Sequence, residues 1–270
     1  MSDTSKLNGK MNGSLGKENK IIGIVSAKGG VGKTTTTINL GASAVNLFNK
    51  SVLLIDTNLN TGNLCLNLGL THHPVSMNNV VKDPLSILNS VHKHKSGLHV
   101  IPSSLVRDKK KINGRKLKKV LRALSNYDLI LLDSAPGIGD DAQIALKASD
   151  GLLLVVTPDF PTVYTALKTV EEAKKAKVPI LGVVLNRVRN DSHEVSQKYI
   201  ESVLGLPVVA IVPEDEIVQK SIPARTPAVV YEPRSDASVS YMKLSASILG
   251  KKIRKKKFFD VLVEDILKIN

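Results

Sequence analysis

The sequence predicts an α/β fold: a doubly wound, mainly parallel sheet with helices on both faces. Three observations point to it. Seven short runs are almost continuously apolar and rich in Val, Ile and Leu, as strands buried on both faces require. Segments with helical period lie between most of these runs. A glycine-rich turn joins the first run to a helix, and such sheets bind ligands at the carboxyl ends of their strands.

In chain order, residues 1–20 are rich in Ser, Gly, Asn and Lys. They hold too little apolar surface to offset ordering and are expected to form a disordered basic tail. The strands follow as IIGIVS (21–26), SVLLID (51–56), LHVIP (98–102), YDLILLD (127–133), GLLLVVTP (151–158), PILGVVLN (179–186) and PVVAIVP (207–213). NGRKLKKVLRALS (113–125) places Leu117, Val120, Leu121 and Leu124 on one helical stripe, with its lysines mostly opposite. Residues 162–176 and 235–250 fit the same period, the latter with Ser235 or Asp236 as N-cap and Gly250 as the stop. Residues 21–250 read as one domain, and 251–270 as a separate basic, amphipathic segment.

Composition narrows the function. The 270 residues are 42% hydrophobic but only 3% aromatic, with no Trp, so the core must be built from Val, Ile, Leu and Ala. The single Cys65 supplies neither a disulfide nor the paired thiolates of a zinc or iron–sulfur site. No apolar run approaches the ~20 residues of a spanning helix, and residues 1–20 lack the apolar centre of a signal peptide. A cytoplasmic location is expected. The net charge of +14 suggests an acidic partner such as nucleic acid, anionic lipid or nucleotide. The basic residues cluster in the first twenty positions, in 107–122 and in 251–257. His72, His73, His92 and His94 complete no zinc pattern and are expected on surface loops.

The turn after the first strand reads Ala27-Lys28-Gly29-Gly30-Val31-Gly32-Lys33-Thr34. Glycines let backbone N–H groups crowd round phosphate oxygens, and the following helix turns its positive end to them. Gly29, Gly30, Val31, Gly32 and Thr35 would supply that cradle. Lys33 would span the terminal phosphates and the Thr34 hydroxyl would ligate Mg²⁺. Ala27 stands where the strict phosphate-loop pattern has Gly. Asp133 ends an apolar strand, where a carboxylate is costly unless it meets a cation such as Mg²⁺.

KGGVGKT resembles the deviant phosphate loop of the MinD/ParA family of ATPases, and the motif order downstream is nearer to MinD than to ParA. The resemblance covers about residues 20–250. It implies ATP and Mg²⁺ as ligands and a homodimer in the ATP-bound state. Lys28 would then reach the phosphates held by the partner subunit, where a second cation offsets charge building up in the transition state. VLLIDTNLNTGNLCLNLGL (52–70) resembles the family's first switch region. Asp56 would sit near the metal through water. Asn58 stands where the family has a second carboxylate; its amide can hold a water but cannot take a proton, so slow turnover is expected. Asp133 corresponds to the family's Walker B carboxylate, and Gly137 and Gly139 would let a second switch move. By the same resemblance Asn186 and Arg187 would read adenine, with Pro213, Glu214 and Asp215 as a wall on the base.

MinD proteins attach to membranes through a carboxyl-terminal amphipathic helix. Here KKIRKKKFFDVLVEDILKIN (251–270) sets lysines beside Phe258 and Phe259, with Leu262, Val263, Ile266 and Ile269 extending an apolar face. Asp260, Glu264 and Asp265 would be repelled by anionic lipid, so a helix docked on the domain is the alternative. Attachment to the inner face of the cell membrane, or to a polar protein partner, is the leading expectation. The 107–122 stretch interleaves no aromatics and is read as the solvated face of a helix. The expected function is an ATP-gated dimerisation switch that positions the division site or cell-surface machinery. The alternative is a ParA-like partition ATPase that binds non-specific DNA. A cluster-assembly ATPase is opposed by the lone cysteine, and Asn58 keeps open a nearly inactive ATP-binding scaffold.

Overall fold

The computed structural model describes residues 19–58, 62–70, 75–82, 84–103 and 113–251. Residues 1–18 of the expected basic tail, His72, His73, the 107–112 part of the basic stretch and all of the carboxyl-terminal segment but Lys251 lie outside the described residues. The elements run β1 (Lys20–Val25), α1 (Lys33–Phe48), β2 (Val52–Asp56), α2 (Asn63–Leu68), α3 (Met77–Lys82), a 3₁₀ turn (Pro84–Asn89), β3 (His92–Lys93), β4 (His99–Ile101), α4 (Gly114–Arg122), β5 (Leu129–Asp133), α5 (Asp140–Ala148), β6 (Gly151–Val156), α6 (Phe160–Ala176), β7 (Ile180–Val188), α7 (Gln197–Leu204), β8 (Val208–Pro213), α8 (Glu216–Ser221), α9 (Ala228–Tyr231) and α10 (Asp236–Ile248). One eight-stranded sheet has the order β3-β4-β2-β5-β1-β6-β7-β8. Every pairing is parallel except the β3–β4 hairpin at one edge.

The alternation of side chains along each strand sorts the core into two layers. Ile22 and Ile24 of β1, Leu54 of β2 and Leu131 of β5 face α1 and α10, meeting Ile38, Leu40, Tyr241 and Leu244. On the other face Ile21, Leu53, Ile130 and Leu132 meet Leu117 and Leu121 of α4 and Ile144 of α5. Farther along that face, Leu152, Leu154 and Val183 meet Val163, Ala166 and Val170 of α6 and Ile200 of α7. Central strands covered on both sides explain the unbroken apolar runs.

Local signals act where expected. Ser235 caps α10 by accepting a hydrogen bond from the Ser238 amide, and Gly250 ends it with φ +66. Asn113 caps α4 through the amides of Arg115 and Lys116. The tail boundary at residue 20 lies slightly too late: Asn19 is buried and its amide donates to the Leu121 and Leu124 carbonyls.

Three readings need correction. The edge strand His92–Lys93 carries no apolar signal, because only backbone pairing with Val100 and His99 defines it. His94 is a buried residue, not a surface one: its Nδ1 lies 2.8 Å from Ser96 Oγ and its Nε2 3.2 Å from the Arg225 carbonyl. The basic face of α4 is only partly solvated. Lys118 pairs with Asp150 at 2.8 Å and Arg122 joins the same carboxylate, while Arg115, Lys116 and Lys119 stay exposed.

Candidate functional site

The loop between β1 and α1 carries the glycine turn over the carboxyl ends of the central strands. Gly30 and Gly32 take φ of +79 and +94, the region glycine alone enters readily. Lys33 opens α1 and is buried, and its Nζ donates to Ser26 Oγ at 3.0 Å. Burial lowers its pKa, with Asp133 pulling the other way. Ser26 Oγ in turn donates to the Lys28 carbonyl at 2.7 Å, which closes the turn on itself.

Beneath the loop the sheet brings two carboxylates together. Parallel pairing of β2 with β5 makes Asp56 and Asp133 direct register partners. Thr34 Oγ1 donates to Asp133 Oδ2 at 2.7 Å, and Thr37 Oγ1 lies 3.4 Å from Oδ1. Asp56 accepts from the Asn58 amide at 2.9 Å and the Leu64 amide at 3.2 Å, with the Ser103 hydroxyl beside it. Both carboxylates are buried. Burial raises both pKa values; the Asp133 charge raises that of Asp56 further, whereas Thr34 and Lys33 pull that of Asp133 down. Two buried carboxylates and a threonine hydroxyl form an all-oxygen donor set whose charge Lys33 alone does not balance. Such a set fits a hard divalent cation.

The remaining expected residues distribute as follows. Lys28 is exposed, and its ammonium lies 4.0 Å from Asp159, the N-cap of α6. Gly29 is exposed, Val31 is buried, and the Thr35 carbonyl accepts from Asn39. Asn58 is buried beside Asp56. Asn186, at the end of β7, is buried and donates through Nδ2 to the Val31 carbonyl at 2.8 Å. Arg187 pairs with Glu214 at 2.7 Å and reaches the Gly30 carbonyl at 3.3 Å. Pro213 ends β8, and the Glu214 amide donates to Val188. Asp215 is the N-cap of α8. Its carboxylate caps α8 through the Ile217 amide at 2.9 Å and accepts from Ala237 at the start of α10 at 3.2 Å, so it secures two helix starts. Ser26, Thr37, Asp159 and Tyr241 also touch the site, and no motif flags them. Cys65 is buried near Asp56, its thiol pushed up to about 12 by burial first and then by that charge.

The CobQ/CobB/MinD/ParA nucleotide binding domain family matches residues 22–227. An uncharacterised ATP-binding protein of Methanocaldococcus jannaschii is 36% identical over 242 residues, which cover 87% of this chain and 91% of that protein. Among solved structures, the cell division ATPase MinD of Pyrococcus furiosus superposes with a TM-score of 0.78 at 32% identity, covering 86% of this chain and 99% of that one. The septum site-determining protein MinD of Pyrococcus horikoshii, complexed with Mg-ADP, gives 0.77 at 29% identity, covering 85% and 96%. The family match spans the loop, both carboxylates and the strand ends that carry them, and the chain therefore belongs to the MinD/ParA family of nucleotide-binding ATPases, within which it is similar to MinD.

Proposed function

We propose that this chain is a Mg²⁺-dependent ATPase that acts as an ATP-gated dimerisation switch for spatial positioning in the cell. The convergence of Lys33, Thr34, Asp56 and Asp133 under a glycine loop carries the reading. Lys33, partly desolvated, meets the terminal phosphates, and loop amides line the phosphate chain. Thr34 and Asp133 would hold Mg²⁺, with Asp56 near it. The bound cation would supply neutralisation of phosphate charge during transfer. Asn58 orients a water by hydrogen bonding but takes no proton from it, which keeps turnover slow and the ATP state long-lived.

Lys28 is exposed, and its approach to Asp159 is long and solvent-screened. That leaves its ammonium available to the phosphates of a second copy, which ATP would join face to face. The dimer would engage an anionic membrane surface or a polar protein through 251–270. Among the described residues no helix is long and apolar enough to cross a membrane.

Light scattering with Mg²⁺ and a non-hydrolysable ATP analogue tests the switch. The wild type should dimerise, while Lys28→Ala should bind the analogue as a monomer. A wild type that stays monomeric with the analogue bound removes the dimerisation reading. Co-sedimentation with anionic liposomes should require ATP and residues 251–270. DNA binding without lipid binding would instead favour the partition reading.

A further inference from the structure

Two consecutive residues at the end of β7 grip the outer side of the phosphate loop. Asn186 Nδ2 donates to the Val31 carbonyl, and Arg187 Nη1 donates to the Gly30 carbonyl. Each donor is itself held. The Tyr241 hydroxyl of α10 lies 3.4 Å from Asn186 Oδ1, and Glu214 takes Arg187 Nε at 2.7 Å and Nη2 at 3.3 Å. Arg187 also adopts φ +62, a left-handed conformation that a non-glycine residue keeps only where its surroundings enforce it. The approach is close: a Cβ added at Gly32 would come within 2.1 Å of Asn186 Nδ2.

In a planar trans peptide the C=O and the following N–H point in opposite directions. Drawing the Gly30 and Val31 carbonyls outward therefore turns the Val31 and Gly32 N–H groups inward, toward the place where phosphate oxygens sit. We propose that Asn186 and Arg187 are positioning residues of the phosphate loop, which preset its amides for a polyphosphate whatever base is attached. The inference rests on the nucleotide-binding reading above and differs from the adenine-reading role that family resemblance attaches to the same pair. Asn186 Oδ1, an acceptor suited to the adenine amine, already faces the Tyr241 hydroxyl.

Calorimetric titration of the full chain with Mg-ATP and with Mg-tripolyphosphate, which has no base, separates the roles. Asn186→Ala and Arg187→Ala should each weaken both ligands by the same factor, roughly five- to tenfold for one lost ordering hydrogen bond. Arg187 is exposed, so its variant decides the matter should Asn186→Ala fail to fold. Loss of ATP affinity with tripolyphosphate affinity unchanged would make the pair base readers and overturn the inference. So would variants that alter neither ligand, or a wild type that takes ATP but no tripolyphosphate. A wild type that binds neither ligand would sink the nucleotide-binding reading itself, a distinct failure.

Discussion

Replacing Gly32 by Ala perturbs the loop at its tightest point. The residue has φ +94, beyond even the left-handed helical region, where an L side chain costs about 1–2 kcal/mol. The new methyl would lie 2.1 Å from Asn186 Nδ2, so the amide must move. That movement breaks the 2.8 Å bond to the Val31 carbonyl in a buried setting, worth about 1–3 kcal/mol once the groups are left unpaired. Together the two effects predict a loss of about 2–5 kcal/mol in urea unfolding of the nucleotide-free protein, with the m-value unchanged. ATP affinity should fall more than tenfold in the same variant, because the amides lose their preset direction. A variant within ~0.5 kcal/mol of the wild type, the scatter of neutral surface substitutions, with ATP binding intact would refute the close-approach argument.

Other substitutions probe the carboxylates, the water and the buried histidine. Asp133→Asn should stabilise the nucleotide-free protein at neutral pH by roughly 1–3 kcal/mol while weakening Mg²⁺-dependent ATP binding, since one of two buried charges goes. Both aspartates have raised pKa values in the fold, so their protonated forms stabilise it at acid pH and that contribution is lost as pH rises from about 4 to about 7. The stability gap between Asp133→Asn and wild type should therefore widen over that interval in pH-dependent urea melts; a constant gap contradicts the paired-carboxylate account. Asn58→Asp should raise steady-state phosphate release at least about tenfold by restoring a carboxylate near the attacking water. A rate no faster than wild type removes the role assigned to Asn58. Burial lowers the pKa of His94, so its neutral form supports the fold and that support fades as pH falls through about 6.5. Wild type should thus lose more stability than His94→Gln between pH 7 and 5, and parallel curves would argue against it.

The sequence by itself determined the parallel sheet and the chemistry of its first turn. Runs such as Leu129–Leu132 are apolar at consecutive positions, the pattern of strands covered on both faces. Glycine conformation and the spacing of Lys33 and Thr34 are local properties, readable from neighbours along the chain. Tertiary structure decided which distant residues meet. Asp56 finds Asp133 only through β2–β5 register, and Asn186 reaches Val31 from 155 positions away. The Asp215 carboxylate likewise ties the starts of α8 and α10 together, a meeting that no local pattern announces. His94 is buried because the hairpin folds against Arg225, with nothing apolar beside it in sequence to announce it. Backbone preference is written residue by residue, whereas the pairing of side chains across strands depends on register and packing that exist only once the sheet has closed.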